Sequence, residues 1–264
     1  MLYVAILPMT ILKWFGADAA GAFAVVNRLV AAAVLFQEAF LVPVLSGASH
    51  VYASGSVDRM LTILAKSFKA TLAGAMLPLA FIASHGPLIL LVWTGQSGSV
   101  FRVAFWLICF AALFKALSLM ALVLYRASGR AGMDSIRQVL RILVLALVSI
   151  FGHDMGFFGI LGGLVVAEFM GMAVMLFAVI STFQGLTARM LLPDTIKLTG
   201  TTLMVLAVGG IVANVSIPWE VSERLLAFFK LGMLSLASLV TVGLAFHFTG
   251  VLSKREISAM WQRP

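Results

Sequence analysis

Apolar runs of about twenty residues recur along this chain and carry almost no charge, which leaves few folds open to it. A run of that length spans the ~30 Å hydrocarbon core of a bilayer as a helix. The runs fall at Leu2–Phe15, Gly21–Val44, Phe68–Trp93, Val100–Leu124, Val139–Phe151, Phe157–Ile180, Leu198–Ile217 and Leu225–Phe248. They predict about eight spans, the first and fifth being short for the task. Each run is continuous and lacks the period-two alternation of barrel strands, so helices are expected and a β-barrel is not. The fold class expected is all-α, a polytopic transmembrane helix bundle over residues 1–252. A short basic tail follows at 253–264.

Composition narrows the function classes. Of 264 residues, 62% are hydrophobic and 11% charged, against roughly 25% charged in an ordinary soluble domain. A soluble fold of this size could not hide so much apolar surface. A soluble enzyme, a disordered chain, a coiled coil and a nucleic-acid-binding domain are all excluded on this ground. The net charge of +8 comes from Lys and Arg between the spans, where they set topology. The sole cysteine, Cys109, lies inside a span and reads as packing. The first run lacks a preceding Lys or Arg, so it reads as a short span and not as a signal peptide.

The connections alternate in character. One set is Ser46–Lys66, Tyr125–Gln138, Phe183–Lys197 and the tail from Ser253. The other is Gly16–Ala20, Thr94–Ser99, Gly152–Gly156 and Pro218–Arg224. Counting span ends, the first set carries twelve Lys and Arg and the second four. The richer side is expected to be cytoplasmic, with both termini there. The chain is thus expected to be a multi-pass protein of the cytoplasmic (inner) membrane.

Four charges fall within the runs: Arg28, Glu38, Lys115 and Glu168. Each costs about 2.5–3.5 kcal/mol at mid-bilayer on insertion scales, so a lipid-facing position is disfavoured. They are expected to face a bundle interior or a water-filled cavity, together with Asn27 beside Arg28. Lys115 and Glu168 are expected to pair across helices. Arg and Lys inside a membrane suit an anionic cargo such as phosphate or pyrophosphate. Gly156 to Gly163 spaces small residues three to four apart and predicts close helix packing. Pro43, Pro78 and Pro87 mark expected kinks or unwound ends. His85-Gly86-Pro87 predicts a break near the outer end of the third span, with His85 interfacial. His153 and His247 are expected at interfaces as well. No catalytic motif, P-loop, metal-spaced His/Cys set or cofactor motif occurs, so the expected chemistry is movement and not conversion.

Certain segments are similar to a known family. Ala20-Gly21-Ala22-Phe23-Ala24-Val25-Val26-Asn27-Arg28-Leu29 resembles the start of the eighth helix of polysaccharide flippases in the MOP exporter superfamily, which includes the MATE transporters. Phe40-Leu41-Val42-Pro43-Val44-Leu45-Ser46 resembles the end of that helix. Leu124-Tyr125-Arg126-Ala127-Ser128-Gly129-Arg130 resembles the exit from the tenth helix, and Gly156–Gly163 the start of the twelfth. The resemblance covers 1–181 as helices seven to twelve, with 198–248 as two additional helices. It implies one lobe of a two-lobed transporter and a separate chain, or a longer gene product, that supplies the N-terminal lobe. It further implies that a lipid-linked oligosaccharide is flipped across the bilayer by alternating access, with Arg28 in the cavity between lobes. Two other readings are a MATE-like cation-coupled antiporter, with Glu38 or Glu168 as its acidic site, and a non-transporting membrane scaffold or fragment.

Overall fold

A computed structural model of the chain describes residues 2–53, 55, 57–95, 99–130, 132–151, 153–182, 196–197, 199–203, 205–206 and 223–249. Among these, every regular element is helical. The order is α1 (Leu2–Ala53), α2 (Val57–Thr94), α3 (Ser99–Ala127), α4 (Gly132–Phe151), a 3-10 turn (His153–Met155), α5 (Gly156–Thr182) and α6 (Glu223–Thr249). Five helical stretches among the described residues are long and apolar enough to cross a membrane: Leu7–Leu35, Ala73–Thr94, Val100–Ala127, Gly156–Thr182 and Leu225–Val242. The expected run Leu198–Ile217, the loop before it and the basic tail lie largely or wholly outside the described residues.

The first two expected spans form one helix broken at Gly16, whose φ of 83° and ψ of −179° are non-helical. That φ belongs to glycine, because a Cβ would crowd the following carbonyl. A straight helix would hold Leu7 and Leu35 about 42 Å apart. Both nevertheless line one cavity, whose α3 wall from Ile108 to Arg126 is about 27 Å long. Gly16 therefore kinks α1, and residues on both sides of the kink line the cavity.

The polar stretch Ser46–Lys66, expected to be a loop, is mostly helix. α1 continues to Ala53 and α2 begins at Val57. Between them Gly55 takes a φ of +72° and its N–H donates to the carbonyl of Tyr52 at 3.1 Å. The expected break at His85-Gly86-Pro87 is likewise corrected. α2 runs unbroken through Pro78 and Pro87, as membrane helices allow when neighbours satisfy the freed groups. His85 is not interfacial. It is 0% exposed and stacks on Phe81, with ring centroids 4.3 Å apart.

The core sits where α1, α2, α3 and α5 meet. Val26, Leu79, Phe105, Ile108, Ile160 and Leu161 are among its buried members. Close approach depends on glycine at two points. A Cβ on Gly86 would lie 2.5 Å from the Phe105 ring. A Cβ on Gly163 would lie 2.5 Å from Cγ1 of Val148, which brings α4 onto α5. Gly163, Ala167 and Gly171 are all buried, so the small-residue spacing read at 156–163 continues for two more turns along α5 and forms the groove that receives α4.

Gly86→Ala should destabilise the bundle by about 1–3 kcal/mol. The Phe105 ring is itself 0% exposed and cannot yield cheaply. Gly162→Ala meets nothing within 4 Å and should be neutral. Equilibrium unfolding in detergent micelles compares the two, and Gly86→Ala with Phe105→Leu should recover part of the loss.

Candidate functional site: a cationic cavity inside the bundle

α3 ends on a glycine cap that sets up the site. The N–H of Arg130 donates to the carbonyl of Tyr125 at 2.8 Å, and that of Gly129 to the carbonyl of Arg126 at 3.1 Å. With Gly129 at φ +75°, this is the paired hydrogen-bond pattern of a Schellman motif. The chain reverses within a few residues and enters α4 at Gly132. The Arg-rich stretch expected as a connection is therefore largely helix.

α4 is inside-out. Arg137, Arg141 and Leu145 recur every fourth residue and are 2%, 3% and 5% exposed. Ile136, Val139, Leu143, Leu147 and Ile150 are each more than half exposed. A soluble helix does the reverse. An apolar outer face with charged groups turned inward is the pattern expected of a helix that meets lipid or another apolar surface.

The arginines line a cavity of about 520 Å³ between α1, α3, α4 and α5. Its walls differ along their length. Leu7, Phe23, Val30, Ile108, Ala111 and Leu164 make one part apolar. Lys115, Arg126, Asp134, Arg137, Arg141 and Glu168 make the other part charged. Those four cations and two carboxylates leave two positive charges in excess.

Hydrogen bonds hold the charged part in place. Arg141 Nη2 donates to Glu168 Oε1, joining α4 to α5 by a salt bridge whose side chains are 4% and 3% exposed. Arg141 Nη1 donates to Gln138 Oε1 at 3.2 Å. Arg137 Nη1 donates to Ser118 Oγ on α3 at 2.8 Å, and that hydroxyl donates to the Lys115 carbonyl at 2.7 Å. Arg137 Nη2 donates to Asp134 Oδ1 at 3.2 Å, and Arg126 Nη2 to Asp134 Oδ2 at 2.7 Å. Asp134 stands in the first turn of α4, where the helix N-terminus favours an anion. Burial opposes its ionisation, but the hydrogen bonds and charges of Arg126 and Arg137 prevail and hold its carboxyl below the ordinary value of 3.8.

Of the residues expected at a site, the structure brings Asn27, Lys115 and Glu168 to this one cavity. It does not bring Arg28 there. Arg28 is absent from the lining of the cavity. Asn27, Val30 and Val34 face in, and Arg28 is left on the exposed face of α1. The side chain of Glu38 lies outside the described residues. The expected Lys115–Glu168 pair gains a third member, for Glu168 bridges to Arg141 while Lys115 acts on it electrostatically. Arg137 and Arg141 were expected to be flanking topology charges. Their four-residue spacing among apolar residues was the signal that they share a helix face. Among the described residues, no group of three or more His, Cys, Asp or Glu comes together to hold a metal.

Removing one partner of the buried pair, by Glu168→Leu or Arg141→Met, should cost about 3–5 kcal/mol, because an uncompensated charge stays buried. The double variant should cost clearly less than the sum, as a double-mutant cycle in micelles would read. The Asp134 bridge has a defined acid limit. Its folded pKa is lowered, so its stabilisation is complete above the unfolded value and fades as pH falls through the folded one. Asp134→Asn should lower the melting temperature by a few degrees at neutral pH, and the difference from wild type should vanish under strong acid.

No family model matches this chain, and no curated protein sequence matches it.

Proposed function

We propose that the chain is a component of a membrane transporter that moves an amphiphile with a phosphate-bearing head. Its cargo is a lipid-linked saccharide precursor carried across the cytoplasmic membrane by alternating access. The observation that carries this reading is the cavity itself. Lys115, Arg137 and Arg141 converge on one space between apolar helices, with Glu168 as their buried carboxylate. Four cations against two carboxylates line that space, and an anion joining them would offset the surplus. Arg and Lys bind phosphate oxygens well, Arg through a two-pronged fork and Lys as a point charge.

The apolar part of the same cavity supports an amphiphile over a free ion, since it offers a hydrocarbon chain a surface beside the charged part. The similarity of four segments to polysaccharide flippases supports the saccharide, by analogy of fold. In that family a second lobe completes the transporter. A further bundle, in the same or a separate chain, would stand against the exposed face that carries Arg28. The basic connections support a cytoplasmic position for the Arg126–Arg141 part of the cavity, where such precursors would be loaded. A cation-coupled antiporter needs a carboxylate open to a cation. Glu168 is instead engaged by Arg141, and this favours the anion reading.

In cells that rely on this protein, Lys115→Ala and Arg137→Ala should each lower surface display of the exported saccharide by about tenfold, the effect of one lost charge-assisted contact. The lipid-linked precursor should accumulate on the inner face. Unchanged display with both variants present at normal level would refute the proposal.

A further inference from the structure

The cavity already contains an anion of its own. Glu168 stands in α5 and is engaged by Arg141 from α4, with Lys115 of α3 and Arg137 of α4 acting on the same carboxylate. A carboxylate and a phosphate compete for the same guanidinium geometry. Arg141 is held at two further points. A Cβ on Gly171 would lie 3.1 Å from both Cγ and Cδ of Arg141, so the arginine stem is seated against the α5 backbone. Its second nitrogen is held by Gln138. Besides its bridge to Arg141, Glu168 is within electrostatic reach of Lys115 on α3, and both line the same cavity.

We propose that Glu168 is a built-in competitor for the ligand's phosphate: its carboxylate holds Arg141, and an incoming phosphate group takes that guanidinium and displaces the carboxylate toward Lys115. The inference rests on the anion reading above and adds to it a moving part. No bond is made or broken, and the charge of Glu168 is retained by Lys115. The exchange has a physical purpose. The arginine is never left buried without an anion, which is costly. The intramolecular competitor also lowers apparent affinity by the fraction of molecules in which Arg141 is free to bind, so that the cargo can leave. Because Arg141 lies on α4, Lys115 on α3 and Glu168 on α5, moving the carboxylate changes which helices are tied together.

The purified full chain in maltoside micelles, titrated with dodecyl phosphate and separately with inorganic pyrophosphate, tests this by calorimetry. Glu168→Gln should bind dodecyl phosphate about tenfold more tightly than wild type. Glu168→Asp, which draws the carboxylate back by one methylene, should tighten binding by a smaller factor, about threefold. The gain should disappear when Arg141→Gln is added to Glu168→Gln. A gain with dodecyl phosphate alone identifies a lipid head group as the source of the phosphate, and an equal gain with pyrophosphate identifies a water-borne one. If wild type binds dodecyl phosphate but both Glu168 variants bind it equally or less well, the competitor role is wrong and the anion reading stands. If neither wild type nor variants bind either probe, both fall.

Discussion

An ionised group in hydrocarbon must find either water or an opposite charge, and much of this structure follows from that requirement. Arg137 and Arg141 are almost fully buried on a helix whose other face is Ile, Leu and Val. An apolar surrounding outside and counter-charges inside suit each other. Without lipid the exposed apolar face would drive association, and without Glu168, Asp134 and Ser118 the arginines would not remain inside. The salt bridge between Arg141 and Glu168 therefore does more than add stability, which buried ion pairs supply poorly. It sets the rotation of α4 about its own axis and the face of α5 that α4 meets.

Small residues give that electrostatic arrangement its precision. Gly163 admits Val148, and Gly171 admits the Arg141 stem. Lipid tails compete on equal terms with any apolar side chain, so helix association in a membrane relies on close van der Waals fit and interhelical hydrogen bonds. The groove along α5 provides the fit and the Arg141 bridge provides the bond. At the other end of α4, the glycine cap after α3 and the Asp134 bridges to Arg126 and Arg137 hold the helix start against its neighbour. α4 is thus fastened at two levels, and the space between it and α1 stays open as the cavity.

Helical class, several apolar spans and the connections at Thr94–Ser99 and Gly152–Gly156 were legible because they depend on local chemistry. The spans at Phe68–Trp93, Val100–Leu124, Phe157–Ile180 and Leu225–Phe248 correspond closely to helical stretches able to cross a membrane. Gly16 was legible as a break, since a glycine between two apolar runs is where the backbone can turn. His85 was not. A histidine beside Gly and Pro reads as a helix end, yet packing against Phe81 and Phe105 carries α2 straight through it. The site was half legible. Lys115 and Glu168 stood out because single charges in long apolar runs are conspicuous. Arg137 and Arg141 did not, because they sit where a membrane protein ordinarily keeps its topology charges.

The sequence by itself determined that the chain is helical, with stretches apolar and long enough to cross a bilayer, and that Lys115 and Glu168 need polar company. Both conclusions follow from the cost of moving apolar or charged groups between water and hydrocarbon, a cost that depends on residue type alone. Tertiary structure decided what that company is. Which charges meet depends on helix rotation and on the few tenths of an ångström of clearance that Gly163 and Gly171 allow. Those quantities belong to pairs of helices, and no single stretch of chain encodes them.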